Sequence, residues 1–317
     1  MLPDELESVA ARYVPGKGKL DIHRLSNGLV NETYRVLRDG SAYALRVAAS
    51  NPCDLGLDRA WEARVLECAV LGGLAPVVEY CDPQRGILIA RWVDGRSWNP
   101  VDVRRQSNLS RMAELLRRIH ALPMPTPARV MSPMKWIGYY SAAAQQSTRW
   151  NPSSTAPPSA AAALRTAATG SLAALAALPS VAPVVCHSDL HTLNLIDRGH
   201  SMVLLDWEYA HAADPLWDLA GWSANNDFED ELERDLLASY TGRPPTRDEY
   251  LRLQLLGWLY DYVCLLWCEL YLNLYRDARP GAAAHGAAPD DATVNGAAAR
   301  AQQLAARLLA TASSRAG

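Results

Sequence analysis

Between positions 186 and 208 the chain reads Cys-His-Ser-Asp-Leu-His-Thr-Leu-Asn-Leu-Ile and then, after a short interval, Leu-Leu-Asp-Trp-Glu. Few folds accommodate such a run. One aspartate (Asp189) is followed five residues later by an amide (Asn194), and twelve residues after that by a second aspartate (Asp206). Short apolar runs frame each of them. Residues 184–185 and 193–196 read as brief strands, 197–200 as a tight turn and 202–205 as a returning strand. Three oxygen-bearing side chains then project from the ends of one short hairpin toward a common point.

Phosphoryl transfer needs such a cluster. One carboxylate orients the attacking hydroxyl and accepts its proton, while a carboxamide and a second carboxylate hold magnesium against nucleotide phosphates. Asp189 is therefore the candidate base, and Asn194 and Asp206 the candidate metal ligands. The spacing His187-x-Asp189-x-x-x-x-Asn194 is similar to the catalytic loop of protein-kinase-like enzymes, with Asp206 where their metal-binding aspartate sits. Alone, a His-Ser-Asp is an ordinary capped turn and an Asp-Trp-Glu an ordinary strand end. In this order, each beside a predicted strand, the two are specific.

The 317 residues suffice for two lobes, and 49% hydrophobic with 21% charged residues is ordinary for a globular protein. A net charge of −3 gives no basic field for nucleic acid. There is no run of eighteen apolar residues, and the start, Met1-Leu2-Pro3-Asp4-Glu5-Leu6-Glu7, is acidic rather than a basic secretion leader. A cytoplasmic protein without a membrane partner is expected. The six cysteines form no C-x-x-C pair. Cys264 and Cys268, neighbours on a predicted helix, read as reduced, buried thiols rather than a metal site. Lysine is scarce, with only Lys17, Lys19 and Lys135 present.

The predicted elements give an α+β, bilobal plan. A helix over 4–13 precedes strands at 22–25, 33–37 and 43–47, with a hairpin turn at 38–41. A helix over 58–71, capped by Asp58, gathers Trp61, Val65, Leu66 and Ala69 on one face. Strands at 77–80 and 87–92 complete a five-stranded sheet. Residues 1–93 form the expected N-terminal nucleotide-binding lobe. A helical lobe over 94–317 carries the candidate site. Its helices are expected where Leu109, Met112, Leu115, Leu116 and Ile119 recur, and near 159–178, 216–224, 229–240, 247–276 and 294–312. A nucleotide would lie between the lobes.

Other residues suit this plan. The 26–33 loop, with Asn27, Gly28 and Asn31, sits where a loop folds over phosphates, although one glycine also makes an ordinary hairpin turn. Arg46, on the third strand, can hold phosphate oxygens without ever losing its proton. Glu62 is its natural partner and Glu67 the competing one. Asp218, in a first helical turn where the dipole favours it, is placed to accept N–H bonds from the 187–194 loop.

Together His187-Ser-Asp189…Asn194, Leu205-Asp-Trp-Glu-Tyr-Ala210 and Asp214-Pro-Leu-Trp-Asp218-Leu-Ala220 resemble the aminoglycoside phosphotransferase superfamily, and within it the choline/ethanolamine kinase and thiamine kinase branch. The resemblance spans about residues 20–275. It implies a kinase-like fold using ATP and Mg2+. It also implies Asp189 as the catalytic base, with His187 and Asp218 among the catalytic residues, and Asn194 and Asp206 as metal ligands. The same resemblance implies that Arg46 binds phosphate and that Ile89, Arg91 and Val93 line the adenine pocket.

The acceptor is argued from outside the shared core. From Asp206 to Asp235 ten acidic residues stand against one basic residue, Arg234. Aromatic residues follow at 258–267. Glu208, Trp258, Tyr262 and Trp267 are the candidate substrate contacts. Acidic groups and aromatic faces suit a small amine or cationic alcohol, each ring contributing about 0.5–2 kcal/mol. A solvated acidic face and an aromatic core are the plain alternatives. Thiamine is slightly favoured, through Met134-Lys-Trp-Ile-Gly-Tyr-Tyr140 and Asp206-Trp-Glu-Tyr-Ala210, with choline or ethanolamine next. An aminoglycoside-type antibiotic kinase and a non-catalytic binding protein are the alternatives.

Overall fold

The computed structural model describes residues 3–25, 30–48, 55–146, 158–275 and 291–315. An antiparallel sheet comes first: β1 (Asp21–Arg24), β2 (Asn31–Arg38), β3 (Ser41–Ala48), β4 (Val78–Asp82) and β5 (Ile87–Arg91), in the order β1-β2-β3-β5-β4. Asp39 and Gly40 turn β2 into β3 with φ of 50° and 76°, the left-handed pair that an Asp-Gly hairpin favours. Alternation then sorts the side chains. Val36, Tyr43, Leu45, Val47, Ile87 and Ile89 face α1 (Pro3–Tyr13), which covers them with Leu6, Val9 and Ala10. Arg46, paired across the strands with Leu88, faces the rest of the molecule.

In α2 (Arg59–Leu71) the Asp58 carboxylate caps the Trp61 N–H at 2.9 Å. Its face of Trp61, Val65, Leu66 and Ala69 is buried, and it joins the large helical core rather than the α1 side. Trp61 Nε1 donates to the Ala210 carbonyl at 2.8 Å.

The helical part comprises α3 (Gln106–His120), α4 (Pro133–Gln146), α5 (Pro158–Ala177), α6 (Leu216–Asn225), α7 (Asp230–Thr241), α8 (Arg247–Tyr275) and α9 (Asp291–Arg315). α8 runs through its middle, against α4, α5, α6 and α9. Among the described residues two helices, Ser159–Ala177 and Arg247–Leu274, are long and apolar enough to cross a membrane by length and composition. The second is mostly buried inside the protein.

The structure departs from expectation at three places. α4 was not foreseen, because its Trp and Tyr residues lack a polar counter-face. β7 (Leu195–Asp197) begins two residues late, after a 3-10 turn at Thr192–Asn194, and pairs with β8 (Met202–Leu204). β6 (Val184–Cys186) pairs with an unforeseen strand, β9 (His211–Ala213).

Asp197 clamps the segment after β5 onto this hairpin. Backbone bonds join Arg96 and Asp197 in both directions, at 3.0 and 2.8 Å. The carboxylate accepts from Arg111 Nη1 and Nη2 (2.7 and 2.6 Å), Trp98 Nε1 (2.8 Å) and the Gly199 N–H (2.8 Å). Gly95 runs so close that a Cβ there would lie 2.7 Å from the Asp197 carbonyl oxygen. Replacing Asp197 by Ala leaves Arg111 and the Trp98 N–H without this partner. Asp197→Ala is expected to cost about 3 kcal/mol in urea unfolding, and an unchanged midpoint would show that the clamp contributes nothing.

Candidate active site

Residues 187–194 form a loop whose backbone is held from behind. Asp218, fully buried in the first turn of α6, accepts the His187 and Ser188 N–H groups at 2.9 and 2.7 Å. Its Oδ2 is also 3.2 Å from His120 Nε2, and His120 Nδ1 is 2.8 Å from the Tyr240 hydroxyl. Burial pushes the Asp218 carboxyl up, but His120, His187 and the Ser188 amide outweigh it and hold it below the usual range. With its N–H secured, Ser188 adopts φ of 70°, a left-handed conformation that is costly for a residue with a Cβ.

His187 is buried. The Asp189 N–H donates to its Nδ1 (3.4 Å), so Nε2 carries the proton and donates to the Leu205 carbonyl (2.9 Å). Burial keeps the ring neutral. His187 and Asp218, expected among the catalytic groups, thus contact backbone and do not border the cleft. They shape the loop and tie it to the strand that delivers Asp206.

Asp189 and Asn194 do border the cleft. The 3-10 turn brings Asn194 back so that Nδ2 donates to the Asp189 carbonyl (3.0 Å) and to Oδ2 (3.1 Å). Among the described residues nothing donates to Asn194 Oδ1. His191 Nε2 stands 3.7 Å from Asp189 Oδ2. Burial pushes the Asp189 carboxyl up, yet His191, His187 and Asn194 hold it below its ordinary value. It is ionised.

Asp206 follows β8 with φ of 58° and accepts from Arg46 Nη1 at 2.9 Å. Burial and then Glu208 push its carboxyl up, against the pull of Arg46. Arg46 Nη2 also meets Glu62 Oε1 at 2.5 Å, which settles the choice of partner, since Glu67 is exposed. Arg59 Nη1 bridges Glu62 (2.8 Å) and Glu208 (2.7 Å), Arg59 Nη2 donates to Asn31 Oδ1 (2.7 Å), and Asn31 Nδ2 donates to Glu208 (2.7 Å).

Glu208 and Asn31, expected at substrate and nucleotide, do border the cleft, with their side chains engaged in this ion cluster. Other expected contacts stand elsewhere. Ile89 and Arg91 point to the α1 face of the sheet, opposite Leu45 and Tyr43 in register, and Arg91 pairs with Glu79. Leu88 and Ala90 share the face of Arg46 instead. Val93 lies just past β5, half-buried. Asn27 and Gly28 lie outside the described residues.

The cleft encloses about 660 Å³, bordered by Asp189, Asn194, Asp206 and six rings: Trp136, Tyr140, Tyr209, Trp217, Tyr260 and Trp267. Trp267 Nε1 donates to the Tyr209 hydroxyl at 2.6 Å. Tyr260, Val263, Cys264, Trp267 and Cys268 form one face of α8. Trp258 and Tyr262 lie off that face, buried and stacked on each other with ring centroids 5.5 Å apart. Of the ten acidic residues, only Asp206 and Glu208 border the cleft. Asp214 pairs with Arg252 and Asp227 with Arg307, while 229–231 are exposed. Cys186, His120 and Asp218 form a compact ligand-like group, but Asp218 is already taken by the loop.

His191, Arg59, Tyr209, Tyr260 and the α9 residues Thr293, Gly296, Ala297 and Arg300 were not foreseen. Arg59 stands three residues before Glu62, a pairing distance on a helix. Arg300 is the sole charged residue between 292 and 306.

A five-stranded sheet set on a helical body, with an acid–amide–acid cluster in the cleft between them, is a kinase-like phosphotransferase architecture. The chain belongs to the phosphotransferase enzyme family, whose model matches residues 21–256, and is a small-molecule kinase. A choline/ethanolamine kinase family protein from Mesorhizobium loti is 26% identical, with 98% of this chain and 99% of that one covered and a TM-score of 0.69. The choline kinase LicA from Streptococcus pneumoniae, also solved with AMP, is 21% identical over 97% of this chain and 98% of its own, at a TM-score of 0.74. The macrolide 2′-phosphotransferase MphH from Brachybacterium faecium is 20% identical over 94% and 96%, at 0.60. No match was found among curated proteins.

If Asp218 shapes the loop, Asp218→Asn should lower turnover about 10- to 100-fold, the worth of one charge-assisted hydrogen bond. The nucleotide KM should hardly change. Steady-state kinetics with full turnover retained would show that the loop keeps its form without this carboxylate.

Proposed function

We propose that the protein transfers the γ-phosphoryl group of ATP directly to the hydroxyl of a small alcohol that carries an amine or cationic group. The observation that carries this reading is the convergence of Asn194, Asp206 and Asp189, the last of them ionised, on a cavity walled by aromatic rings. Asp189 accepts the acceptor's proton as its oxygen bonds to the γ-phosphorus. The bond to the bridging oxygen breaks, and ADP leaves without a phosphoenzyme. Arg46 is placed to turn from Asp206 toward phosphate oxygens.

The residues fit magnesium. Asn194 Oδ1 is free to bind it, the donors are hard oxygens, and a cation beside Asp206 would relieve the burial that favours its protonated form. Bound there, the ion would neutralise charge on the phosphates. The AMP complex of LicA and the sheet face of Arg46, Leu88 and Ala90 support a nucleotide between sheet and helices.

The acceptor class rests on the rings, through cation–π attraction, and no longer on the acidic count. Trp136 and Tyr140, from the stretch that pointed to thiamine, border the cavity. Thiamine, choline and ethanolamine are accordingly the first acceptors to test.

ADP release with Mg·ATP should depend on an amine alcohol, and its absence with every amine alcohol would sink the class. Asp189→Asn should lower turnover by about 10²–10⁴ while leaving nucleotide binding intact. Asp206→Ala should instead weaken Mg·ATP binding in calorimetry, and an unaltered magnesium dependence would remove Asp206 from the metal site.

A further inference from the structure

Arg300 reaches the cleft from α9, beyond the span matched by the family model. Its charge has no direct ion-pair partner among the described residues, and Asp261, whose carboxyl feels it, is held by Arg307. Its Nη2 donates to a neutral acceptor, Asn225 Oδ1, at 3.1 Å. The carboxylates described near it have partners of their own: Asp206 meets Arg46, Glu62 and Glu208 meet Arg59, Asp189 stands near His191, and Asp227 and Asp261 meet Arg307. Arg300 is also held in place. Asn225 Nδ2 donates to the Leu190 carbonyl of the loop (2.9 Å) and lies 3.1 Å from the Tyr260 hydroxyl. α9 is pinned by Arg307, which meets Asp227 (2.7 Å), the Ala224 carbonyl (3.1 Å) and Asp261. Gly296, one turn earlier, borders the same cleft, and a Cβ there would meet nothing within 4 Å.

We propose that Arg300 determines acceptor specificity by binding an anionic group of the acceptor, so that the preferred substrate is an amino alcohol bearing a carboxylate. The inference rests on the kinase reading above and narrows it. Three chemistries face one cavity: a carboxylate base for the hydroxyl, aromatic faces for the ammonium, and a guanidinium fork that matches a carboxylate in two parallel hydrogen bonds. An acceptor that is only cationic leaves the fork unpaired and is repelled by it.

The test uses two acceptor pairs differing only by a carboxylate, ethanolamine against L-serine and 3-aminopropan-1-ol against L-homoserine. ADP release is measured with the full chain and with Arg300→Gln, whose folding is checked by thermal melting. The carboxylate-bearing member should be preferred about 10- to 100-fold in kcat/KM, the worth of a charge-assisted hydrogen bond. Arg300→Gln should abolish that preference through KM of the acceptor and leave KM of Mg·ATP unchanged. Preference for the carboxylate-free members, or an equal loss for both, overturns the inference. So does a rise in KM of Mg·ATP alone, which would place nucleotide phosphate at Arg300. A protein that binds Mg·ATP in calorimetry but phosphorylates neither member of either pair also overturns it and leaves the kinase reading standing; failure to bind Mg·ATP at all would count against that reading instead.

Discussion

Two guanidiniums and two glutamates, buried where the sheet, α2 and the segment after β8 meet, set the geometry of the whole cleft. Arg46 comes from β3, Arg59 and Glu62 from α2, and Glu208 from the C-terminal side. Withdrawing such charges from water is costly, so each must find its partner, and few arrangements of the surrounding elements allow that. The cluster is therefore less a source of net stability than a registration device. It fixes which way Arg46 points and how far the sheet stands from Asp206. Counting Asp206, carboxylates outnumber guanidiniums there, and a cationic ligand is what the excess calls for.

Strain is concentrated where that registration is delivered. Ser188 and Asp206 both occupy the left-handed region, and each is held there by a charged hydrogen bond, Asp218 to the Ser188 N–H and Arg46 to the Asp206 carboxylate. Aspartate tolerates this region locally, whereas for Ser188 the conformation is sustained by a partner distant in sequence.

Much of this was legible beforehand. Asp58 caps α2, Asp218 accepts the loop's N–H groups and Glu62 meets Arg46, because caps, motif spacings and helix faces are local or pairwise properties. What escaped was orientation. Alternation marks two faces of β5 but not which looks into the cleft, so Ile89 and Arg91 were placed on the wrong one. α8 is apolar nearly all round, and its periodicity could not separate Trp267 from Trp258 and Tyr262. The acidic count from 206 to 235 treated residues close in sequence as close in space, whereas most of them serve ion pairs or solvent. Arg300 lay in an alanine-rich tail whose hydrogen-bond partner, Asn225, is far away along the chain.

The position of α9 has a consequence for how the molecule comes into being. It is the last described element to leave the ribosome, yet it supplies part of the wall beside Val263, Cys264 and Cys268. Chains fold from the N-terminus as they emerge. The groups around Asp189 and Asp206 can therefore assemble while one side of the cavity is still open to water. A nascent chain thus passes through a stage in which the loop and hairpin around Asp189 and Asp206 have formed while the α9 side of the cavity is not yet walled.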